Sequence, residues 1–378
     1  MLADDAALRI KTLPRIGAAA FAIGIMPLMV FAFGERVAAA AVMTNHMVVR
    51  APLHHPNKIS EADLRWVPFD PQAKENACLV RAEFISVDPY LTSAFHRTKI
   101  GQPMRSGLVG MVEPSDAAGC PVGQHVEAFG IWAQRQYLPP AWLVPLADTV
   151  VAAHPEFALG PAGMPGQTAY MGVTRILKSS PGEVCYVSGA AGAVGTVAVE
   201  LLKRRGCKVI GSAGSDEEVQ LLTGTLGADA AFNYRRGPSM FAQLREALDR
   251  LGADGIDATF DNVGGETLEA AIKLTRDFGR VAVCGAISQY LLPPNETYAI
   301  RGLNKLVDHS ILLQGFLISD YAAADKEAAA VELRRMIDAG ELNPLMTVVK
   351  GGELLPAAFA SLFQSAKHVG KLVVRMSS

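Results

Sequence analysis

Nine consecutive residues, Val187-Ser188-Gly189-Ala190-Ala191-Gly192-Ala193-Val194-Gly195, carry the clearest chemistry in the chain. Gly192 and Gly195 remove side chains where backbone must approach phosphate oxygens and where a helix must pack on a strand. The flanks supply those elements. Glu183 to Ser188 is short, apolar and β-branched, while Thr196 to Arg205 places Val197, Val199, Leu201 and Leu202 at helical spacing before a basic end. A strand, a glycine turn and a helix in this order aim free N–H groups and a positive dipole end at a pyrophosphate. The spacing alone also suits a plain tight bend, so the assignment needs its surroundings.

Those surroundings repeat the pattern. A second strand, Cys207 to Ser212, ends in Ala213-Gly214-Ser215, a small neutral corner where an NAD-specific site usually places a carboxylate for the ribose 2′-OH. Further strands are predicted at Ala230 to Asn233, Gly255 to Phe260 and Gly279 to Cys284, separated by helical spacers. That alternation is the βαβ rhythm of a parallel, doubly wound Rossmann sheet. Upstream, Ala77 to Val87, Ser106 to Val112 and His125 to Gly130 are short strands between turn residues, so the fold class is α/β with a separate β-rich domain. A helix is expected from Met164 through Tyr170, another over Leu355 to Ser365, and a last strand over Lys371 to Arg375.

Composition narrows the function classes. At 378 residues, 50% hydrophobic and 19% charged, the chain exceeds what one core usually organises, and its net charge of −2 gives no electrostatic case for nucleic acid. Cys78, Cys120, Cys185, Cys207 and Cys284 are scattered, without a CxxC pair or a histidine in ligand spacing. No zinc site is expected, and the odd number in apolar contexts predicts five reduced thiols. The first 42 residues conflict with a cytoplasmic enzyme: Arg9, Lys11 and Arg15 precede an apolar run from Ile16 to Phe33 and then Ala38 to Ala41. This is the pattern of a signal peptide or membrane anchor. The competing reading is a misassigned start, with translation from Met43 and a cytoplasmic location. Domains are expected at 1–42 (extension), 43–157 (β-rich, completed by 340–378) and 158–339 (dinucleotide-binding).

Five blocks, in order, resemble one family. Val87-Asp88-Pro89-Tyr90, Gly163 to Tyr170, Ala190 to Gly195, Phe260-Asp261-Asn262-Val263-Gly264-Gly265 and Cys284-Gly285-Ala286-Ile287-Ser288-Gln289-Tyr290 are similar to the zinc-independent medium-chain dehydrogenase/reductases. Within them the match is to the prostaglandin reductases, plant double-bond reductases and bacterial curcumin reductases. The resemblance covers nearly everything after Met47. It implies a GroES-like substrate domain beside the Rossmann domain, NADPH as cofactor without a metal, a homodimer, and reduction of the C=C bond of a small hydrophobic enone or enal.

The resemblance also implies site residues. Tyr290 would hydrogen-bond the substrate carbonyl and support the developing enolate, with Tyr90 facing the nicotinamide or substrate from the other domain. Gly192, Ala193, Val194 and Gly195 would hold the pyrophosphate and Asn262 the ribose region. Cys284, Gly285, Ala286, Ile287 and Ser288 would run along the nicotinamide, Phe316, Leu317 and Ile318 beside its carboxamide, and Thr168 would add a contact. Ser215, Tyr234 and Arg235 would surround the adenosine 2′-phosphate. Read without the family, Tyr290 and Tyr90 are equally packing aromatics, Asn262 a turn former and Arg235-Arg236 solvated charge. Two positions depart from the family: Glu218 stands where it has a phosphate-binding lysine, and His368 where it has an asparagine. A carboxylate repels phosphate, and Arg235 or Arg236 offers a replacement cation. A quinone reductase and a non-enzymatic NADPH-binding protein remain alternatives. The segment Leu291 to Lys305 is expected to overhang the cleft as a mobile loop, and Ile311 to Ile318 to be an edge strand.

Overall fold

The computed structural model describes residues 45–377 except 56, 116, 147–152 and 365–367. The apolar run 16–33 and the start at Met43 lie outside the described residues. In chain order the strands are β1 (His46–Arg50), β2 (Leu64–Pro68), β3 (Cys78–Ser86), β4 (Arg105–Glu113), β5 (His125–Ile131), β6 (Arg135–Leu138) and β7 (Val144–Pro145). Then follow β8 (Val184–Val187), β9 (Lys208–Ala213), β10 (Ala230–Asn233), β11 (Ile256–Asp261), β12 (Thr275–Val283), β13 (Leu312–Gly315), β14 (Met346–Lys350) and β15 (Lys371–Arg375).

β8 to β13 form a parallel sheet in the order β10-β9-β8-β11-β12-β13. The sequence order therefore reverses between β8 and β11, and ligands of doubly wound sheets bind at the carboxyl ends of strands flanking such a reversal. All four residues of β8 are buried because helices cover both faces. One face packs Val187, Val199, Leu202, Val209 and Phe260, and the other packs Tyr186, Ile210, Leu244 and Leu248.

The second sheet is mixed, in the order β14-β15-β3-β4-β5-β7 with β6 on β3, and only β14 and β15 run parallel. β3 alternates buried and half-buried positions over its first half and is buried throughout its last three residues. Two strands from the far C-terminus complete this sheet, so the GroES-like domain closes only after the Rossmann sheet has been built. Phe84, Val109 and Val373 of the mixed sheet share a core cluster with Ala169, Val187 and Phe260, which locks the two sheets together.

Three expectations change. Cys78 and Cys120 form a disulfide, closing a loop 42 residues apart in sequence, so five reduced thiols are not what the fold holds; Cys185, Cys207 and Cys284 stay free. Position 78 opens a strand whose neighbours bring Cys120 back beside it, a proximity that linear spacing does not reveal. The strand expected over 311–318 lasts only from Leu312 to Gly315, at the sheet edge, because the chain then turns and Leu317 N–H donates to the Asp320 carboxylate (2.8 Å). The segment 291–305 is tied down by hydrogen bonds, among them Tyr298 N–H to the Gln289 amide oxygen (2.7 Å), Arg301 N–H to the Glu269 carboxylate (2.8 Å) and Lys305 Nζ to the Lys273 carbonyl (2.5 Å). Among the described residues no helix is long and apolar enough to cross a membrane.

Candidate active site

The turn after β8 is shaped by its glycines in different ways. Gly189 sits at φ +55, a left-handed conformation that reverses the chain. A Cβ on Gly195 would lie 2.2 Å from the Gly189 carbonyl oxygen, so only glycine lets the helix Gly195–Arg204 start this close to the strand. A Cβ on Gly192 would touch only the Gly189 oxygen, at 3.3 Å, leaving the approach to that backbone open. The helix has no side-chain cap; the Thr196 amide donates to the Gly192 carbonyl (3.0 Å), and the other first-turn amides fit a pyrophosphate.

The neighbouring strand end is organised by Asp261, a fully buried residue that spacing did not single out. Its carboxylate accepts from Ser188 Oγ (2.6 Å) and Gly264 N (2.9 Å), and its carbonyl from Cys284 N (2.8 Å) and Gly285 N (3.2 Å). Burial pushes its pKa above the ordinary aspartate range, opposed by those hydrogen bonds. Asn262 donates from Nδ2 to the Ser188 carbonyl (2.7 Å) and from its backbone N to Ser188 Oγ (2.8 Å). Its side chain is thus a brace between β8 and β11 at the switch point. The Ile287 and Ser288 amides donate to the Asn262 and Val263 carbonyls (3.3 and 3.2 Å), which curls the segment after β12 over this corner.

That curl delivers Tyr290. Its Oη accepts from Ala286 N (3.1 Å) and lies 2.9 Å from where a Cβ of Gly285 would be, so a side chain at 285 would push the phenol from its present place. Because the backbone amide occupies an acceptor position on Oη, the hydroxyl proton stays free to donate elsewhere. Partial burial first, then Cys284 and Asp261, raise the phenol pKa above the usual tyrosine range. Cys284, Gly285, Ala286, Tyr290, Phe316 and Leu317 line one cavity of about 430 Å³ together with Asp320. Burial holds the Cys284 thiol up at about 12, so it stays protonated and unreactive. Phe316 is buried edge-on against Phe260 and Tyr321, whereas Ile318 has left the strand for a short turn. Thr168 is buried, and its hydroxyl donates to the Met164 carbonyl of its own helix (2.8 Å).

Tyr90 lines a different cavity, of about 640 Å³, as does Phe129. The structure does not bring the two tyrosines into one cavity; their neighbours Leu91 and Leu291 belong to or pack against the same core beneath the mixed sheet. Desolvation, then the Asp88 carboxylate, raise the Tyr90 phenol above its usual range. Asp88 and Lys371 were missed by sequence reasoning. Lys371 is 1% exposed and ion-paired with Asp88, and it donates to the Val87 carbonyl (2.8 Å). A lone lysine heading an apolar strand was the available signal.

At the end of β9 the structure gathers Gly214, Ser215, Glu218, Tyr234 and Arg235. A Cβ on Gly214 would approach Tyr234 Oη at 3.2 Å and the Arg235 guanidinium at 3.5 Å. Arg236 pairs with Asp216, which leaves Arg235, stacked 5.5 Å from the Tyr234 ring, as the replacement cation. Glu218 does more than repel a phosphate. It is half-buried and closes a capping box, its Oε2 accepting from Gly214 N (2.7 Å) and Ser215 N (3.1 Å) while Ser215 Oγ accepts from Glu218 N (3.2 Å). His368 accompanies it: burial lowers its pKa against the pull of Glu218, Nε2 meets Ser361 Oγ (2.6 Å), and Nδ1 is buried without a partner among the described residues.

Comparison with known proteins agrees with this layout. A family described as zinc-binding dehydrogenase matches residues 193–333, and one described as the N-terminal domain of oxidoreductase matches 59–146. Among the described residues there is no group of three or more histidine, cysteine or acidic side chains that could hold a metal. Mouse prostaglandin reductase 1 is 36% identical over 318 residues, covering 81% of this chain and 91% of the relative. A putative NADP-dependent oxidoreductase of Bacillus subtilis, YfmJ, is 34% identical over 81% of the chain and 90% of its own length. The crystal structure of CurA from Vibrio vulnificus in complex with NADPH superposes with a TM-score of 0.81 at 29% identity, covering 88% of this chain and 99% of CurA. With the uncapped glycine turn, the switch-point strands and these relatives in hand, the chain belongs to the zinc-independent medium-chain dehydrogenase/reductases, an oxidoreductase of the prostaglandin reductase group.

Proposed function

We propose that the protein uses NADPH to reduce the C=C bond of α,β-unsaturated aldehydes and ketones. The observation that carries this reading is Tyr290: its oxygen is fixed by the Ala286 amide, its proton is free, and it lines a cavity at the carboxyl end of β12. The coenzyme, when bound, supplies a hydride to the β-carbon. Tyr290 Oη donates to the substrate carbonyl oxygen and stabilises the negative charge that gathers there as the enolate forms, and a solvent proton taken up at the α-carbon completes the saturated product. Gly192 and the uncapped helix take the pyrophosphate, Asn262 lies toward the ribose, and Cys284 to Ser288 with Phe316 and Leu317 enclose the nicotinamide. Ser215, Tyr234 and Arg235 take the 2′-phosphate, with Glu218 and His368 beside them. Residues 43–157 with 340–378 serve as the substrate domain and 158–339 as the coenzyme domain, in a homodimer. The test is NADPH oxidation with an enone, a quinone or no acceptor. Preferred turnover of the enone supports the reading, and preferred turnover of the quinone replaces it with a quinone reductase.

The Cys78–Cys120 disulfide favours the exported reading of residues 1–42 over a cytoplasmic start at Met43, since structural disulfides persist in oxidising compartments. Thiol counting on the denatured, unreduced protein and its N-terminal sequence test this. Three thiols and a new N-terminus near Ala41 support export. Five thiols with a full-length N-terminus, or one at Met43, return the protein to the cytoplasm.

A further inference from the structure

Gln289 stands directly before Tyr290 and takes no part in the wall of that tyrosine's cavity. Its side chain is nevertheless the middle of a directed relay of hydrogen bonds. Tyr298 N–H donates to Gln289 Oε1 (2.7 Å), Gln289 Nε2 donates to Ser288 Oγ (2.8 Å), and Ser288 Oγ donates to the Val263 carbonyl (2.6 Å). The direction is fixed at both ends, because a backbone N–H can only donate and a backbone carbonyl can only accept. The relay thus ties the segment 291–305 to the residues that follow β11. Gly264 and Gly265, left-handed at φ +70 and +57, make room for it. A Cβ on Gly265 would lie 2.7 Å from Gln289 Nε2 and 3.0 Å from Ser288 Oγ, and one on Gly264 would lie 2.9 Å from the Ala286 Cβ. The main chain joins the same turn to the phenol. Gln289 N donates to the Ala286 carbonyl (2.8 Å), and Tyr290 Oη accepts from the Ala286 amide (3.1 Å).

We propose that Gln289 is a positioning residue for the reduction: by holding Ser288 and Tyr298 at once it fixes the 286–290 turn and with it the place of the Tyr290 phenol. The inference rests on the reading of Tyr290 as donor to the substrate carbonyl and adds the side chain that aims it. Glutamine suits this task because one end of its amide accepts and the other donates. An ionised glutamate of the same shape keeps the bond from Tyr298 and has no hydrogen for Ser288. A shift of about 1 Å at a reacting group can cost on the order of a hundredfold in rate, so a loosened turn is felt in turnover.

The experiment is a double-mutant cycle read by single-turnover NADPH oxidation at saturating coenzyme and enone, with thermal melts of every variant. Gln289→Glu and Ser288→Ala break the same bond from opposite sides. Each should lower the rate about tenfold in the starting protein. In a Tyr290→Phe background each should lower it by less than about twofold, because the hydroxyl they aim is gone. A side chain that only stabilises the fold would cost the same factor in both backgrounds, and that additivity overturns the inference while Tyr290 keeps its role. Unchanged rates in both single variants overturn it as well. Should Gln289→Glu fail to fold, Ser288→Ala carries the cycle. If Tyr290→Phe alone leaves the rate unchanged, the underlying reading fails and the inference falls with it.

Discussion

Replacing Glu218 by glutamine separates two roles that one carboxylate performs. The side chain accepts from Gly214 N and Ser215 N at 2.7 and 3.1 Å, so it completes the helix cap and also places a negative charge on the donors a 2′-phosphate would seek. Glutamine keeps an amide oxygen for those donors and loses the charge. One unit charge against another at about 4 Å costs about 1 kcal/mol in a water-like dielectric, and a phosphate carrying nearly two charges roughly doubles that. Screening in 0.1 M salt, where the Debye length is about 10 Å, removes part of it. Glu218→Gln should therefore tighten NADPH binding about tenfold to thirtyfold at low salt and leave NADH within about twofold. Losing the charge-assisted part of the cap should cost about 0.5–1 kcal/mol of stability. Arg235→Ala should do the reverse to NADPH, weakening it about tenfold, whereas Arg236→Ala should do little because that guanidinium pairs with Asp216. Dihydronicotinamide fluorescence titration of both coenzymes, with thermal melts of each variant, makes the measurement. Equal changes for NADPH and NADH in Glu218→Gln, or tighter NADH binding by the starting protein, would show that the 2′-phosphate lies elsewhere.

The remaining expectations follow from the same geometry. Tyr290→Phe should lower kcat on enones about tenfold to a hundredfold with coenzyme affinity unchanged, in stopped-flow and binding assays; an unchanged kcat removes the carbonyl-binding role. Because the Tyr290 pKa is raised, the rate should show no fall from phenol ionisation below pH 10, and an alkaline limb near pH 9 would assign the proton to another group. Activity should survive chelator, and stoichiometric zinc by elemental analysis would contradict the absent ligand set. Glu200 is 6% exposed and burial raises its carboxyl to about 7 despite hydrogen bonds from Asn343. The folded state therefore keeps a proton that the unfolded state loses near 4.5, stability should fall as pH rises from about 4.5 to about 7, and Glu200→Gln should flatten urea-unfolding data over that window. Lys371→Met should destabilise by about 3–5 kcal/mol by leaving Asp88 buried and unpaired, with Asp88→Asn in the same chain restoring most of it; additive losses would mean the two do not interact.

How much of this was readable in the sequence depends on how local each signal is. β8, the turn and its helix were legible because strand burial, glycine positions and helical spacing all fall within about twenty residues. The parallel direction of the Rossmann strands followed from alternation, whereas their order in the sheet did not. What stayed hidden depends on residues far apart in the chain. The Cys78–Cys120 pair needs the mixed sheet to exist. Asp261 reads as a turn former before two glycines until its bonds to Ser188, Gly264 and Cys284 are seen. Glu218 was noticed only as a departure from the family's lysine, although the Ser215-x-x-Glu218 spacing is itself the signature of a capping box.

The C-terminal strand explains how two sheets can share one site. Gly370 N–H donates to the Ala191 carbonyl in the glycine turn (2.8 Å), and at φ +67 its missing Cβ avoids the Leu345 carbonyl, which would lie 2.0 Å away. The next residue, Lys371, reaches the Val87 carbonyl and the Asp88 carboxylate, two residues before Tyr90. Two consecutive residues therefore touch the glycine turn after β8 and the loop that leads to Tyr90. A buried ion pair is a poor source of stability, since well-packed apolar side chains of similar size often do as well. Its directional bonds set register: a lysine that must satisfy one carbonyl and one carboxylate at once admits a single placement of the 87–90 loop against β15. Gly370 and Lys371 thus tie the glycine turn and the 87–90 loop to one strand end, which places Lys371 in the architecture of both without contact to Tyr90 or Tyr290.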